Sequence, residues 1–197
     1  MKKVLALVTL AIVFVLAAPA VEAQHDLSAY YKLHDGVATA IPWYVYSSPS
    51  GNFVDARYNF DALDSLAVFA GKSFIVGGVT VTPAIGGIVG KYDGVSGEVN
   101  LAWKLWGMNW FTLNQYSAGV GESRDFTYHY MEALYPLGRH VQVGFDEQWW
   151  WSPGGKGEWD YGPVLKLKTS DGLYLKTWVA ATNTGPHKLF VGFGFTR

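Results

Sequence analysis

The feature that most constrains this chain is a period-two alternation of apolar and polar residues, repeated in about ten short segments from Asn52 onward. The segments run Asn52–Phe60, Ser65–Phe74, Val79–Lys91, Val95–Trp106 and Asn109–Ala118, then Phe126–Tyr135, Val141–Trp151, Tyr161–Lys168, Leu173–Thr182 and Lys188–Arg197. Turn residues separate them at the spacing expected of a membrane barrel. In the fourth, Val95, Val99, Leu101, Trp103 and Leu105 share one face, while Ser96, Glu98, Asn100 and Lys104 share the other. The last sets Leu189, Val191, Phe193 and Phe195 against Lys188, Gly192 and Gly194. Side chains that alternate this way belong to strands, so one apolar face recurs from strand to strand.

Alternation alone does not say whether that face points outward to lipid or inward to a soluble core. The connections favour lipid. Links around Trp106-Gly107, Leu137-Gly138 and Ser170-Asp171-Gly172 are tight, whereas Gly119 to Asp125 and Ser152 to Asp160 are longer and rich in Gly and charge. Short turns on one rim and longer loops on the other mark outer-membrane barrels. Trp103, Trp106 and Trp110 bracket a tight turn, and Trp149, Trp150, Trp151 and Trp159 bracket a long loop, which predicts two interfacial girdles. Trp178, near mid-strand, fits a core position better. The expected fold is therefore an all-β, antiparallel up-and-down barrel of about ten strands, or twelve if residues 24–50 contribute. Within that stretch Thr39–Ser47 is a candidate extra strand.

The first residues predict export. Met1-Lys2-Lys3 is positive, Val4 to Ala20 is almost wholly apolar, and Val21-Glu22-Ala23 ends in a small-x-small cleavage pattern, giving a signal peptide over residues 1–23 and a barrel domain over 51–197. Without cysteine there is neither a lipid-modified N-terminal Cys nor a disulfide framework. Removing Lys2, Lys3 and Glu22 from 15 basic and 16 acidic residues leaves a formal charge of −2, which gives no footing for nucleic acid.

Asp55-Ala56-Arg57-Tyr58-Asn59-Phe60, followed by Phe69-Ala70-Gly71-Lys72 and Thr82-Pro83-Ala84-Ile85-Gly86-Gly87, resembles an uncharacterised family of exported bacterial proteins with ARYN-type and TP-x-x-GG strands. The resemblance implies a barrel of outer-membrane type and no activity. The chain ends Phe193-Gly194-Phe195-Thr196-Arg197, a displaced form of the terminal aromatic found on outer-membrane strands, so outer-membrane lipid and the barrel insertion machinery are the expected partners.

Asp55, Arg57, Asn59, Glu98, Asn100, Lys104, Asp146, Gln148, Lys166, Lys168 and Lys176 fall on the polar side of their strands and are expected to line the lumen. A narrow barrel makes unpaired charge costly, so Asp55, Arg57, Glu98 and Lys104 are expected to neutralise one another. No catalytic, phosphate-binding or metal motif is present, the five histidines are scattered, and alternation sets His129 opposite Tyr128, Tyr130 and Glu132, so no cofactor is called for. Glu147 falls on the apolar face, beside Trp149. The leading reading is an outer-membrane barrel of structural or small-solute transport type. The alternatives are a soluble periplasmic lipocalin-like barrel holding an apolar ligand against Leu101, Trp103, Leu165 and Leu175, and an outer-membrane enzyme acting on lipid or peptide.

Overall fold

The computed structural model describes residues 24–34, 37–59, 64–155 and 157–197; the expected signal peptide lies outside them. Thirteen strands follow one another: β1 (Gln24–His34), β2 (Val37–Ser47), β3 (Asn52–Asn59), β4 (Ser65–Lys72), β5 (Phe74–Val76), β6 (Val79–Gly90), β7 (Gly94–Leu105), β8 (Met108–Gly119), β9 (Phe126–Pro136), β10 (Val141–Trp151), β11 (Glu158–Lys168), β12 (Leu173–Thr182) and β13 (Lys188–Thr196). Apart from β4 and β5, which both lie along β6, each pairs antiparallel with its sequence neighbours, and β1 pairs with β13, so the sheet closes on itself. β4 and β5 keep a single register on β6, from Ser65↔Gly90 through Gly71↔Ala84 to Phe74↔Val81. They are one strand interrupted at Ser73, and the barrel has twelve.

Residues 24–34 and 37–50 thus belong to the barrel, which extends the expected domain toward the N-terminus: β1 and β2 pair along their whole length. In β1, which the sequence analysis left unassigned, Asp26, Ser28, Tyr30 and Lys32 alternate with Leu27, Ala29, Tyr31 and Leu33. Two tyrosines on opposite faces blur the contrast.

Gln24 and Arg197 share a rim with the turns at 48–51, 77–78, 106–107, 137–140 and 169–172. On the opposite, far rim lie the longer links 120–125 and 183–187, residues 152–155 and 157, and the shorter link 91–93. Two of the tight turns have left-handed backbone at both central residues, Gly77-Gly78 (φ 58° and 82°) and Trp106-Gly107 (φ 54° and 77°). That conformation matches the right-handed twist of a two-residue hairpin, and Trp106 is an uncommon residue to adopt it.

The facing is unambiguous. Leu165 is 39% exposed on the outer surface and Phe193 53%, with Val95, Val99, Val179 and Leu189 similarly exposed, whereas Lys176 is 3% exposed inside. A lipocalin-like barrel would show the reverse. Inside, β13 carries glycine where neighbouring rings need room: a Cβ on Gly192 would lie 2.5 Å from the Tyr30 ring, and one on Gly194 2.2 Å from that of Tyr174. The Val-Gly-Phe-Gly-Phe run of β13 therefore sends apolar side chains outward and leaves its inner face bare for two tyrosines.

Gly194→Val is expected to destabilise the folded barrel by about 1–3 kcal/mol through overpacking. In urea titrations, adding Tyr174→Ala should cost less in the Gly194→Val background than in wild type. Strict additivity would remove the steric account.

Candidate functional site

The alternation that places leucines outside directs charged and aromatic side chains into the bore, where they form three groups. The first joins β3, β7 and β8. Arg57 pairs with Glu98 and lies 3.6 Å from Asp55, and its Nη2 donates to Gln115 Oε1 at 2.9 Å. Asn100 Nδ2 donates to Glu98 Oε1 at 2.6 Å, and Trp43 Nε1 donates to Asp55 Oδ1 at 2.9 Å. The guanidinium also sits 4.9 Å from the Phe69 ring centroid and 5.6 Å from that of Trp43, within cation–π range.

The second group centres on Lys176 of β12, which pairs with Glu132 and with Asp146 at 2.5 Å and donates to the Tyr130 hydroxyl at 2.5 Å. Tyr130 donates onward to Asp146 Oδ2 at 3.1 Å. Lys166 lies 4.3 Å over the Tyr174 ring, and Tyr174 donates to Asp26 Oδ1 at 3.0 Å. In the third group Lys188 of β13 pairs with Glu158 and, at 3.0 Å, with both oxygens of Asp160; Gln148 Nε2 donates to Asp160 Oδ2 at 2.7 Å.

Three cavities follow one another along the bore. One of about 230 Å³ is lined by Lys32, Arg57, Asn59, Tyr128, Gln148, Trp150 and Asp160 among others. A smaller one of about 80 Å³ lies against Tyr30, Tyr128, Tyr130, Asp146, Lys176 and Trp178. A third, of about 410 Å³, runs toward the terminal rim past Asp26, Phe53, Asp55, Thr82, Asn100 and Phe111. Trp43 lines all three, held by its bond to Asp55 and by a tilted contact with Tyr30 at 6.2 Å.

Of the residues expected in the lumen, Asp55, Arg57, Asn59, Glu98, Asn100, Asp146, Gln148, Lys166 and Lys176 face the bore. Lys104 and Lys168 are exposed at the strand ends next to the tight turns. Lys104 therefore has no part in the Asp55–Arg57–Glu98 group: right parity does not help a residue that has already reached the rim. The tryptophans divide similarly. Trp103 stacks on Trp110 at 5.8 Å and Trp106 is 80% exposed at the tight-turn rim, while Trp149, Trp151 and Trp159 are exposed toward the far rim. Trp150 is a correction, because strand neighbours point to opposite faces and its ring packs inside against Phe126 at 6.2 Å.

His129 faces outward, its Nδ1 2.8 Å from Asn114 Oδ1, and Glu147 faces outward between Met131 and Tyr161. Sequence reading missed Trp43, Tyr30, Glu158 and Asp160, and it put Lys188 on the polar face of its strand without counting it in the lumen. Beginning β11 at Glu158 rather than Tyr161 would have revealed both carboxylates on the inner parity.

At the far rim, Tyr92 of the β6–β7 link folds onto Phe126 with ring centroids 5.0 Å apart; burial pushes its hydroxyl up to about 12. Asp125 accepts from the Tyr116 hydroxyl at 2.8 Å and from Gly119 N–H at 3.0 Å, which holds its carboxyl below the usual range.

Arg57→Met leaves two buried carboxylates without their cation and is expected to cost about 3–5 kcal/mol in equilibrium unfolding. Glu98→Gln made in the Arg57→Met background should cost far less than alone. Lys104→Met should stay within about 0.5 kcal/mol of wild type, and a large loss there would return Lys104 to the network.

No family model matches the chain, and no curated protein matches it in sequence. Solved structures do. The KdgM porin in complex with disordered oligogalacturonate superposes with a TM-score of 0.66 at 9% identity, over 86% of this chain and 98% of that one. The NanC porin gives 0.66 at 11% identity, over 87% and 98%. An outer-membrane channel from Pseudomonas putida F1 gives 0.59 at 7% identity, over 92% and 97%. The chain therefore has the twelve-stranded fold of outer-membrane porins and channels.

Proposed function

We propose that this protein resides in the outer membrane as a narrow channel for small solutes. The observation that carries the reading is the set of three cavities along a closed barrel, meeting at the single ring of Trp43. The outer surface supports it. Closure leaves no free sheet edge, the outward strand positions are apolar, and tryptophans gather at both rims, as a bilayer requires. The structural neighbours are porins and channels rather than enzymes.

The bore favours some charges over others. Among the described residues seven carboxylates face it, from Asp26, Asp55, Glu98, Glu132, Asp146, Glu158 and Asp160, against five cations from Lys32, Arg57, Lys166, Lys176 and Lys188. A wall with surplus negative charge repels polyanions. Oligogalacturonate, the ligand in the KdgM complex, is a polyanion, so the solute here is of a different charge class.

In planar bilayers the purified barrel is expected to give stepwise currents that favour cations over anions, and Trp43→Ala should raise single-channel conductance severalfold. Silent bilayers with both proteins would overturn the channel. Placement in lipid has its own test. Val99, mid-strand and 40% exposed, should lose about 2–4 kcal/mol of folded, heat-modifiable barrel as Val99→Arg, whereas Leu105→Arg at the strand end should lose about 0–1 kcal/mol. Equal losses would argue against a bilayer around this surface.

A further inference from the structure

The two rims of the barrel differ in charge. Among the described residues, the turns and strand ends of the terminal rim expose Lys72, Lys104, Arg139, Lys168 and Arg197 against the single exposed acidic side chain of Asp171. The described far-rim links carry Asp64, Asp93, Glu122 and Asp125 against Lys91 and Arg124, and Lys91 is neutralised by Asp64 at 3.1 Å. Among the described residues no carboxylate forms an ion pair with Lys72, Lys104, Arg139 or Lys168. Two bonds organise one stretch of this cationic rim. Lys168 N–H donates to the His140 carbonyl at 2.8 Å, and His140 Nδ1 lies 2.9 Å from the Lys168 carbonyl. The turn bearing Arg139 is thereby tied to the strand end bearing Lys168.

Next to these charges the outer wall is apolar. Tyr135 and Leu137 precede Arg139 along the chain, Leu167 and Leu173 flank the turn after Lys168, and all four are exposed. Trp106 and the Trp103–Trp110 stack lie beside Lys104 on the same rim, the aromatic setting of a membrane interface. An acidic protein segment needs only the charge. A lipid needs charge and an apolar wall side by side, and this surface supplies both. A guanidinium grips phosphate oxygens with two parallel N–H groups, and an ammonium adds a point charge beside it. We propose that the Arg139–Lys168 patch of the terminal rim binds the phosphate of an anionic glycerophospholipid, whose acyl chains run along the outward leucines. The acidic far rim does not offer the same site.

The site rests on the bilayer placement for its choice of a lipid, but counting bound lipids tests it separately. The refolded barrel is equilibrated in detergent with equal amounts of phosphatidylglycerol and phosphatidylcholine of matched acyl chains, and the lipids it retains are counted by native mass spectrometry. Wild type is expected to retain phosphatidylglycerol over phosphatidylcholine by at least about fivefold. Arg139→Gln combined with Lys168→Gln should bring the two lipids to parity, while Arg124→Gln at the far rim leaves the preference as in wild type. Both altered residues are exposed, so heat-modifiable folding should persist; should it not, Lys168→Gln alone must still lower the preference. Inorganic phosphate at matched ionic strength should not displace the lipid, because it lacks the chains that the apolar wall holds. Equal retention in wild type, a preference that survives the substitutions, or one abolished by Arg124→Gln would each overturn the site. Displacement by inorganic phosphate would leave a simple anion site in its place, and displacement by a polyglutamate peptide would leave a docking face for acidic protein. Absence of the lipid preference with the contrast between Val99→Arg and Leu105→Arg intact would sink this site alone, whereas equal losses in that pair would sink the bilayer placement whatever lipid is retained.

Discussion

Everything in this structure depends on the closed backbone ladder. A sheet whose first strand bonds its last has no edge, so no row of unpaired N–H and C=O groups is left to be satisfied elsewhere. Closure fixes an inside and an outside, and strict alternation then assigns every side chain to one of them. Val99 and Phe193 face out and Glu98 and Lys176 face in because of their place in the strand, whatever their own preference.

That assignment forces charge into a confined space, and the interior is organised around neutralising it. Each buried cation, Arg57, Lys176 or Lys188, meets two carboxylates from other positions in the wall. The Asp55 and Asp146 side chains are tied in turn to aromatic residues, Trp43 and Tyr130. Rings are thereby fixed by charges, and the bore is narrow because its aromatic lining is held in place. The glycines of β13 are the counterpart, making room for Tyr30 and Tyr174 on a wall too crowded for another side chain.

Most of the barrel was legible in the chain. Ten of its twelve strands follow from alternation and turns, and the asymmetry of the rims followed from link composition. β1 escaped because Tyr30 and Tyr31 carry rings to both faces, which hides a period-two pattern in a count of apolar residues. The site was legible by parity alone, and parity fails in two ways. It says nothing about height along the barrel, so Lys104 was grouped with Arg57 although it sits at a rim. Nor does it say which residues of different strands meet: Arg57 and Glu98 are 41 residues apart, and only strand tilt and register bring them together. Trp150 was misplaced for a simpler reason, since three consecutive tryptophans read as a cluster where a strand separates them.

The seam between β1 and β13 carries a consequence for how the molecule comes into being. Asp26 accepts from Thr196, 170 positions away, and from Tyr174, 148 positions away. Every other strand pairing joins neighbours in sequence and can form as a hairpin while synthesis or delivery is still under way. The seam cannot, because its second half is the last strand of the barrel to arrive, and bringing such distant segments together is entropically slow. Until then β1 is an open edge carrying Leu27, Tyr31 and Leu33 on one side and Asp26 and Lys32 on the other. The protein thus passes from an incomplete, adhesive sheet to a sealed cylinder in one terminal event.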